Sequence, residues 1–213
     1  MNQHFSWDKY HQAPMVGIVR GESKETVLKI ARAYQDAEMF TLEVTLNTPG
    51  ATDIIQALRA HFPDLNIGAG TVCNVEDLDE VIRAGAQFIV TPIIDEAVIK
   101  QCVQLGIPIF PGAYSPSEIY KAWSLGASAV KLFPATDLGT GYIKDVLAPL
   151  NDIKLVPTGG VNLENIRSWF EVGSVGVGMG SSLINKELIA AEDYDGLTTY
   201  FRQFKEAIRD FIQ

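Results

Sequence analysis

Short apolar segments alternate with stretches of helical pattern along the chain, and this alternation limits the possible folds more than any other feature of the sequence. The apolar segments are Met15–Arg20, Phe40–Leu46, Asn66–Thr71, Phe88–Pro92, Ile107–Pro111, Ser128–Phe133, Ile153–Thr158 and Ser174–Met179. Their starts lie about 19 to 26 residues apart, enough for one strand, one helix and two short loops. Strands that alternate with helices in this way pair in parallel, so we predict an α/β protein with a parallel sheet.

Eight strand-and-helix units favour a closed (β/α)8 barrel, the TIM barrel. We predict one such domain over residues 1–213, with residues 1–14 as a helical lead-in to the first strand. The alternative is a doubly wound open sheet, which is typically built from fewer strands and carries a Gly-x-Gly-x-x-Gly turn after the first of them. The stretch Gly17–Gly21 lacks that glycine spacing, so we prefer the barrel.

Local sequence patterns predict where several helices begin. Residues 115–118, Ser-Pro-Ser-Glu, have the pattern of a capping box with proline in the first turn. Asn162 is expected to open a helix that reaches Val172. Asp195–Ile212 is expected to close the chain as an amphipathic helix.

Composition narrows the classes of partner. The formal net charge of −9 disfavours nucleic acid or an anionic membrane surface as the main partner. Cys73 and Cys102 match no metal-binding or redox spacing, which suits a reducing compartment. No window holds about 18 uninterrupted apolar residues, and residues 1–13 lack an apolar signal segment. We therefore expect a soluble cytoplasmic protein with a small-molecule substrate.

A lysine interrupts the sixth apolar segment. Lys131 lies within Ser128–Pro134, where an ammonium is costly to bury unless a partner or a lowered pKa relieves the cost. Glu43 is embedded in the same way in Phe40–Leu46, and both side chains are expected near the mouth of the barrel. Burial that lowers the lysine pKa from about 10.4 supplies a nucleophilic amine for Schiff-base chemistry, and a nearby carboxylate supplies a base. The alternative is a structural ion pair, although such pairs often add little stability.

Glycine-rich stretches follow the seventh and eighth apolar segments. They are Pro157–Val161 and Gly176–Ser182, at the two positions where barrels build phosphate sites from loop amides and the start of a short helix. We expect that helix to begin at Ser181. Tight turns are the alternative explanation of these glycines.

Two further groups are expected at the same mouth. Arg20 ends the first apolar segment, and its guanidinium is suited to bind a carboxylate or a phosphate; the alternative is a solvated loop arginine. Gly68–Thr71 ends the third segment, where small residues would let a ligand approach the backbone while Thr71 donates a hydroxyl. Close packing between helix and strand is the alternative there.

The three histidines do not suggest a metal site. His4 and His11 fall in the leading segment, and His61 falls at the end of the second predicted helix, all remote from the predicted mouth. No metal triad can be assembled from them, so we predict no metal and no other cofactor.

Five short motifs occur in order along the chain. They are Glu43–Pro49 (EVTLNTP), Gly68–Val72 (GAGTV), Val90–Pro92 (VTP), Lys131–Pro134 (KLFP) and Thr158–Val161 (TGGV). With them the chain resembles the 2-keto-3-deoxy-6-phosphogluconate aldolase family from Val16 to Leu183. The resemblance implies a homotrimeric, metal-independent class I aldolase, a carbon–carbon lyase that cleaves a phosphorylated 2-keto-3-deoxy sugar acid to pyruvate and glyceraldehyde 3-phosphate. Cleavage of 4-hydroxy-2-oxoglutarate to pyruvate and glyoxylate is left open.

The resemblance also implies roles for individual residues. Lys131 would form the Schiff base, and Glu43 would move protons. The pyruvate pocket would be shaped by Thr71, Pro92 and Phe133, and the phosphate would be received by Gly159, Gly160, Gly180 and Ser181. Thr45 and Asn47 share the strand face of Glu43 and are further candidates for substrate binding.

Asn47 departs from the motif of several family members, which have an arginine there that grips the substrate carboxylate. Arg20 is our candidate to replace it. Asparagine at this place resembles the phosphogalactonate branch, whereas Thr158 before the glycine pair resembles the gluconate-type enzymes. We prefer 2-keto-3-deoxy-6-phosphogluconate as the substrate and keep its C4 epimer, 2-keto-3-deoxy-6-phosphogalactonate, as the alternative.

Two other functions are compatible with the same barrel. A phosphosugar isomerase or epimerase would typically carry metal-binding histidines or paired acids at the mouth, and the sequence shows neither. A non-catalytic phosphate sensor would have no need of the buried Lys131 and Glu43.

Overall fold

The computed structural model describes residues 4–212, so residues 1–3 of the expected lead-in and Gln213 lie outside the described part. The strands are β1 Met15–Val19, β2 Thr41–Thr45, β3 Asn66–Gly70, β4 Ile89–Val90, β5 Ile109–Phe110, β6 Gly112–Ala113, β7 Val130–Leu132, β8 Leu155–Pro157 and β9 Val177–Met179. The helices are α1 Trp7–Gln12, α2 Lys24–Asp36, α3 Ala51–His61, α4 Val75–Arg83, α5 Glu96–Leu105, α6 Pro116–Ser124, α7 Gly139–Leu147, α8 Ile166–Glu171, α9 Lys186–Ala190 and α10 Tyr194–Ala207. The alternation of strand and helix that the sequence predicts is confirmed.

All paired strands run in parallel, in two sheets. The larger has the order β5-β4-β3-β2-β1-β9, and the smaller has the order β6-β7-β8. The fifth apolar segment forms β5, and a further short strand, β6, follows it; Pro111, which has no N–H to donate, separates the two. Backbone bonds connect the sheets at both junctions: Ser128 N–H donates to the Ile109 carbonyl at 3.0 Å, and Thr158 forms a parallel bridge with Gly178. The fold is a TIM-barrel-like parallel α/β fold.

Apolar side chains on the two faces of the strands form separate clusters. The larger cluster packs between the strands and the helices, and includes Ile89, Val130 and Leu155. The smaller cluster lies on the opposite face, which we call the inner face, and consists of Tyr10, Val16, Ile18, Phe88, Val90, Phe110, Ala129 and Val156. Strand neighbours such as Ala129 and Val130 fall in different clusters because successive side chains point to opposite faces. The strands are thus buried on both sides, as a parallel sheet requires.

Helix boundaries follow local hydrogen bonds. The capping box at Ser115 is confirmed. The Ser115 side chain accepts the backbone N–H of Glu118, and the Glu118 side chain accepts the backbone N–H of Ser115. The helix expected from Asn162 begins later, at Ile166, because the Asn162 side chain accepts the N–H groups of the next turn instead. The C-terminal helix ends at Ala207, and a 3-10 turn follows. No helix within residues 4–212 is long and apolar enough to cross a membrane.

The N-terminal helix α1 covers the amino-terminal end of the strands. Its Tyr10 belongs to the inner cluster, and a Cβ at Gly176 would lie 2.0 Å from the Tyr10 hydroxyl oxygen. Ser6 caps this helix and also donates its backbone N–H to the Asn66 side chain at 2.8 Å. Because α1 covers this end, we expect the functional groups at the carboxyl-terminal end of the strands.

Candidate active site

Lys131 and Glu43 lie on the inner face of two different sheets. Lys131, in the middle of β7, pairs with Val156 of β8, while Glu43, in the middle of β2, pairs with Ile18 of β1. Paired residues of neighbouring strands share a face, and both Val156 and Ile18 belong to the inner cluster. The exposed fractions of Lys131 and Glu43 are only 7% and 2%. Both ionisable side chains are therefore buried and point into the same interior.

Burial shifts both groups toward their neutral forms. Desolvation lowers the pKa of Lys131 from its ordinary value of 10.5, with Glu43 opposing the shift and Arg20 adding to it. Desolvation also raises the pKa of Glu43 from 4.5, against the fields of Lys131 and Arg20. The two side chains form no ion pair within 4.0 Å in the described part of the chain. The structural ion pair considered as an alternative is thus not formed.

Gly68 and Gly70 make room for neighbouring side chains. A Cβ at Gly70 would lie 1.7 Å from Oε1 of Glu43, and a Cβ at Gly68 would lie 2.4 Å from the Phe88 ring. The expectation that a ligand approaches the backbone at these two glycines is therefore wrong, because side chains occupy that space. Gly70 instead allows the Glu43 carboxylate to lie against β3.

Thr71 directly follows β3 in a strained conformation. Its φ is +61°, in the left-handed region that β-branched residues rarely adopt. Such conformations cost free energy and persist where the surroundings impose them, often at functional sites. The backbone thus sets Thr71 apart from its neighbours and keeps it a candidate.

A cavity of about 310 Å³ opens at the carboxyl ends of β1, β7, β8 and β9. Both glycine-rich stretches line it: Thr158, Gly159 and Gly160 after β8, and Gly180 and Ser181 after β9. Gly159 and Gly160 have φ values of +98° and +75°, which a side chain would strain. The structure thus brings the two predicted loops to one cavity.

Hydrogen bonds hold these two loops together. The Ser182 hydroxyl donates to the Val161 carbonyl at 2.6 Å, and the Tyr200 hydroxyl donates to the Ser182 carbonyl at 2.8 Å. Their relative position is therefore determined before any ligand binds, which favours binding.

The short helix expected from Ser181 begins later than predicted. Ile184 N–H donates to the Gly180 carbonyl, which completes one turn, but α9 begins only at Lys186. The Asn185 side chain caps α9 by accepting the N–H groups of Glu187 and Leu188. The first amides of α9 thus bind Asn185, whereas the predicted start at Ser181 forms a turn in which Leu183 and Ile184 donate to the Gly180 carbonyl.

Arg20 and Phe133 line the same cavity. The charge of Arg20 acts on both Glu43 and Lys131, although Arg20 itself is exposed. A hydrogen bond of 3.0 Å, from Gly21 N–H to the Thr48 hydroxyl, holds the loop after Arg20. The Lys131 Nζ lies 4.7 Å from the centre of the Phe133 ring, a cation–π arrangement for the protonated amine.

The remaining candidates are placed differently. Thr45 is fully buried, and its hydroxyl donates to the Val19 carbonyl at 3.4 Å. Asn47 is exposed in the turn after β2 and does not line the cavity. Pro92 lines a separate cavity of about 380 Å³, which shares Phe133 with the first. Thr158 is 6% exposed and packs against Gly178, where an added Cβ would lie 2.3 Å from the Thr158 Oγ1.

The lining residues that the sequence analysis did not single out as site residues include Ile18, Glu22, Ser182 and Lys186. Ile18 and Ser182 lie beside residues that the motifs had singled out, and strand alternation would have found Ile18 because it shares the face of Arg20. Glu22 and Lys186 lie in loops, where no periodicity indicates the direction of a side chain. Their position could be learned only from the folded chain.

Within residues 4–212, no group of three or more histidine, cysteine, aspartate or glutamate side chains is placed to hold a metal ion. His11 lies in α1, and His61 ends α3. Both therefore belong to the end of the strands opposite the cavity, as the sequence predicts.

The parallel α/β fold, with Lys131 and Glu43 buried among the strands and a glycine-lined cavity at their carboxyl ends, is typical of TIM-barrel-like enzymes. Residues 7–200 match the family model of KDPG and KHG aldolases. The chain belongs to this aldolase family, whose members are carbon–carbon lyases.

Curated relatives carry two different substrate names. The chain is 32% identical to the 2-dehydro-3-deoxy-phosphogluconate aldolase of Haemophilus influenzae, over 95% of this chain and 96% of that protein. It is 34% identical to the 2-dehydro-3-deoxy-6-phosphogalactonate aldolase of Escherichia coli, over 92% of this chain and 97% of that protein. Similarity thus establishes the family and leaves the specific substrate open.

A solved structure from Legionella pneumophila is similar over nearly its whole length. It is a KDPG aldolase with pyruvate captured as a covalent carbinolamine intermediate, 29% identical, with a TM-score of 0.84. The match covers 91% of this chain and 95% of that one. The TIM-barrel-like fold is therefore shared with this aldolase.

Proposed function

We propose that the protein is a class I aldolase that cleaves 2-keto-3-deoxy-6-phosphogluconate to pyruvate and glyceraldehyde 3-phosphate, with Lys131 as the Schiff-base nucleophile. One observation carries the proposal: Lys131 is only 7% exposed within an apolar strand, and its Nζ lies 4.7 Å from the ring centre of Phe133, which lines the glycine-lined cavity. Its lowered pKa leaves more of it unprotonated near neutral pH, as nucleophilic attack requires. The covalent carbinolamine in the Legionella pneumophila relative supports the same chemistry.

In the proposed reaction, the Lys131 amine adds to the C2 carbonyl to give a carbinolamine, which loses water to form an iminium ion. Glu43 then takes the proton of the C4 hydroxyl, through water, and the C3–C4 bond breaks. The electron pair of that bond passes to the iminium as an enamine, and the aldehyde leaves. Glu43 returns a proton to C3, and water hydrolyses the resulting pyruvate imine to free the amine. A carboxyl group with a raised pKa is suited to exchange protons in both directions near neutral pH.

Binding roles follow from the placement of the other candidates. Arg20 would hold the substrate carboxylate, since it lines the cavity whereas Asn47 does not. Thr71, Pro92 and Phe133 would shape the pyruvate pocket. The phosphate would bind the loop residues Gly159, Gly160, Gly180 and Ser181, which line the cavity together. Thr45 would support β1 through its bond to Val19.

Borohydride trapping tests the proposal directly. Sodium borohydride added together with pyruvate should inactivate the protein and attach one reduced pyruvate to the peptide that contains Lys131, because only an imine is reduced to a stable adduct. Borohydride without pyruvate is the control and should leave activity intact. An adduct on another lysine, or no adduct, would contradict the assignment. An isomerase, an epimerase or a sensor would give none.

We further propose the gluconate epimer as the preferred substrate, because Thr158 lines the cavity while Asn47 does not. A threonine hydroxyl there is suited to bond the C4 oxygen of one configuration. We expect kcat/KM to be higher for 2-keto-3-deoxy-6-phosphogluconate than for its galactonate epimer, and Thr158→Val to reduce that ratio by about 5- to 10-fold, the effect of one hydrogen bond. A galactonate preference in the wild type would overturn this choice.

Two structural features belong to the same proposal. A single domain with a closed eight-stranded barrel is supported by the backbone bonds at both sheet junctions. A homotrimer is supported by exposed apolar side chains around α5 and α6, namely Ile93, Val103, Leu105, Tyr114 and Tyr120. Sedimentation equilibrium should give three times the chain mass; a monomer would refute the trimer.

A further inference from the structure

Three charged side chains line the main cavity: Arg20, Glu22 and Lys186. Arg20 is assigned to the substrate carboxylate in the proposed reaction, and its charge acts on Glu43 and Lys131. Lys186 lies beyond the loop that contains Gly180 and Ser181, at the end where the phosphate would bind. The two cations thus match a substrate with an anionic group at each end.

Lys186 is free to bind an anion. It is exposed and forms no ion pair among the described residues, whereas Lys9, Lys29, Lys100, Lys121 and Lys205 each pair with a carboxylate. It is also the first residue of α9, and the bond from Ile184 to Gly180 ties the preceding turn to the loop. Lys186 therefore lines the cavity with no ion-pair partner among residues 4–212.

The rest of the phosphate end offers only partial charges. Gly159, Gly160 and Gly180 have no side chains, Ser181 carries a neutral hydroxyl, and the first amides of α9 are capped by Asn185. A phosphate carries up to two negative charges, and lysine binds phosphate as a compact point charge. Glu22 at the same cavity would repel such an anion, which increases the need for a cation.

We propose that Lys186 binds the 6-phosphate of the substrate and so determines the preference of this site for phosphorylated over unphosphorylated 2-keto-3-deoxy sugar acids. The proposal rests on the aldolase function proposed above. Lys186 adds a full positive charge to the glycine loops, and its removal should weaken binding of the phosphate without affecting carbon–carbon cleavage.

The test compares two substrates that differ only in the phosphate, 2-keto-3-deoxy-6-phosphogluconate and 2-keto-3-deoxygluconate. Lys186→Met keeps the length of the side chain and removes its charge. We expect kcat/KM for the phosphorylated substrate to fall by about 10- to 100-fold, mainly through KM, the loss typical of one charge-assisted hydrogen bond. The value for the unphosphorylated substrate should stay unchanged, and Lys186→Arg should retain most of the wild-type preference.

Lys144→Met is the matched control, because Lys144 is also exposed but lies in α7 and does not line the cavity. This variant should leave kcat/KM unchanged for both substrates. Glu22→Gln should lower KM for the phosphorylated substrate, because it removes the repelling carboxylate. If Lys186→Met has no further effect in the Glu22→Gln background, Lys186 merely neutralises Glu22 and the proposal is overturned. Equal losses for both substrates would also overturn it.

Inorganic phosphate gives a readout that does not require turnover. Calorimetry should show weaker phosphate binding to Lys186→Met than to the wild type, and equal binding would contradict the proposal. Pyruvate trapping on Lys131 separates the two hypotheses. If pyruvate is trapped but Lys186→Met leaves the ratio of kcat/KM values for the two substrates unchanged, only the role of Lys186 is refuted. If the wild type traps no pyruvate, the aldolase function is refuted, even where phosphate binding depends on Lys186.

Discussion

Lys131→Ala is expected to lower kcat/KM by at least about 10⁴-fold, because no other nucleophile can replace the amine that forms the covalent intermediate. Lys131 is the buried lysine of the inner face, within the part of the chain that the structure describes. Steady-state kinetics with a coupled pyruvate assay measure the loss. Substrate binding should persist in the variant, since the two glycine-rich loops that line the cavity follow β8 and β9.

Two variants make this result specific. Lys154→Ala is the control for the loss of a lysine, because Lys154 is exposed just before β8, at the amino-terminal end of the strands, and should retain activity. Lys131→Met keeps the aliphatic volume and should unfold at the same or a higher temperature, since burial disfavours the charged amine. Substantial activity in Lys131→Ala, or an unfolded Lys131→Met, would contradict the proposed role.

Glu43→Gln is expected to lower kcat by about 10²- to 10⁴-fold, the usual contribution of a general acid–base group. The amide keeps the shape of the side chain in the space provided by Gly70 but cannot exchange protons. Pyruvate trapping on Lys131 should still occur, because the nucleophile remains. A higher KM with an unchanged kcat would contradict a role in proton transfer.

The same substitution should stabilise the protein at neutral pH. Because burial raises the pKa of Glu43 in the folded state above its ordinary 4.5, the folded protein favours the protonated form. Below pH 4.5 the carboxyl group is protonated in both states and imposes no penalty. As pH rises, the unfolded state loses its proton first, so the wild type loses stability until the folded group also ionises.

Urea denaturation at several pH values measures this difference. Glu43→Gln should gain about 1 to 3 kcal/mol at pH 7 and nothing at pH 4. Glu80→Gln, at an exposed position of α4, is the control and should change stability by less than about 0.5 kcal/mol. A Glu43→Gln variant less stable than the wild type at pH 7 would show that the carboxylate is stabilising in the folded state.

Local sequence patterns predicted the elements well where the determining interactions are local. Ser115 forms its capping box because both partners lie within one turn of α6. Asn162 misled the prediction because an asparagine bonds a turn as readily as a helix start, and α8 begins only at Ile166. Only the structure shows that a second short strand, β6, follows Pro111 and pairs with β7, whereas β5 pairs with β4.

The glycines after β3 show where residue type alone was insufficient. Gly68 and Gly70 suggested a ligand close to the backbone, yet the side chains of Phe88 and Glu43 occupy that space. A missing Cβ indicates that something approaches closely, but it does not identify what approaches. That identity depends on neighbouring strands, which lie about 20 residues or more away in sequence.

The sequence by itself determined the parallel α/β fold, the unusual position of Lys131 and Glu43 in apolar strands, and the glycine loops at the ends of two later strands. Each of these features shows in a short periodic pattern or in one charged side chain among apolar neighbours. Such patterns can be interpreted because burial imposes them. Only the tertiary structure decided that Glu43 and Lys131 form no ion pair, and that Arg20, Glu22 and Lys186 line one cavity. These facts depend on the distances between loops and strands remote in sequence, which the packing of the whole chain sets.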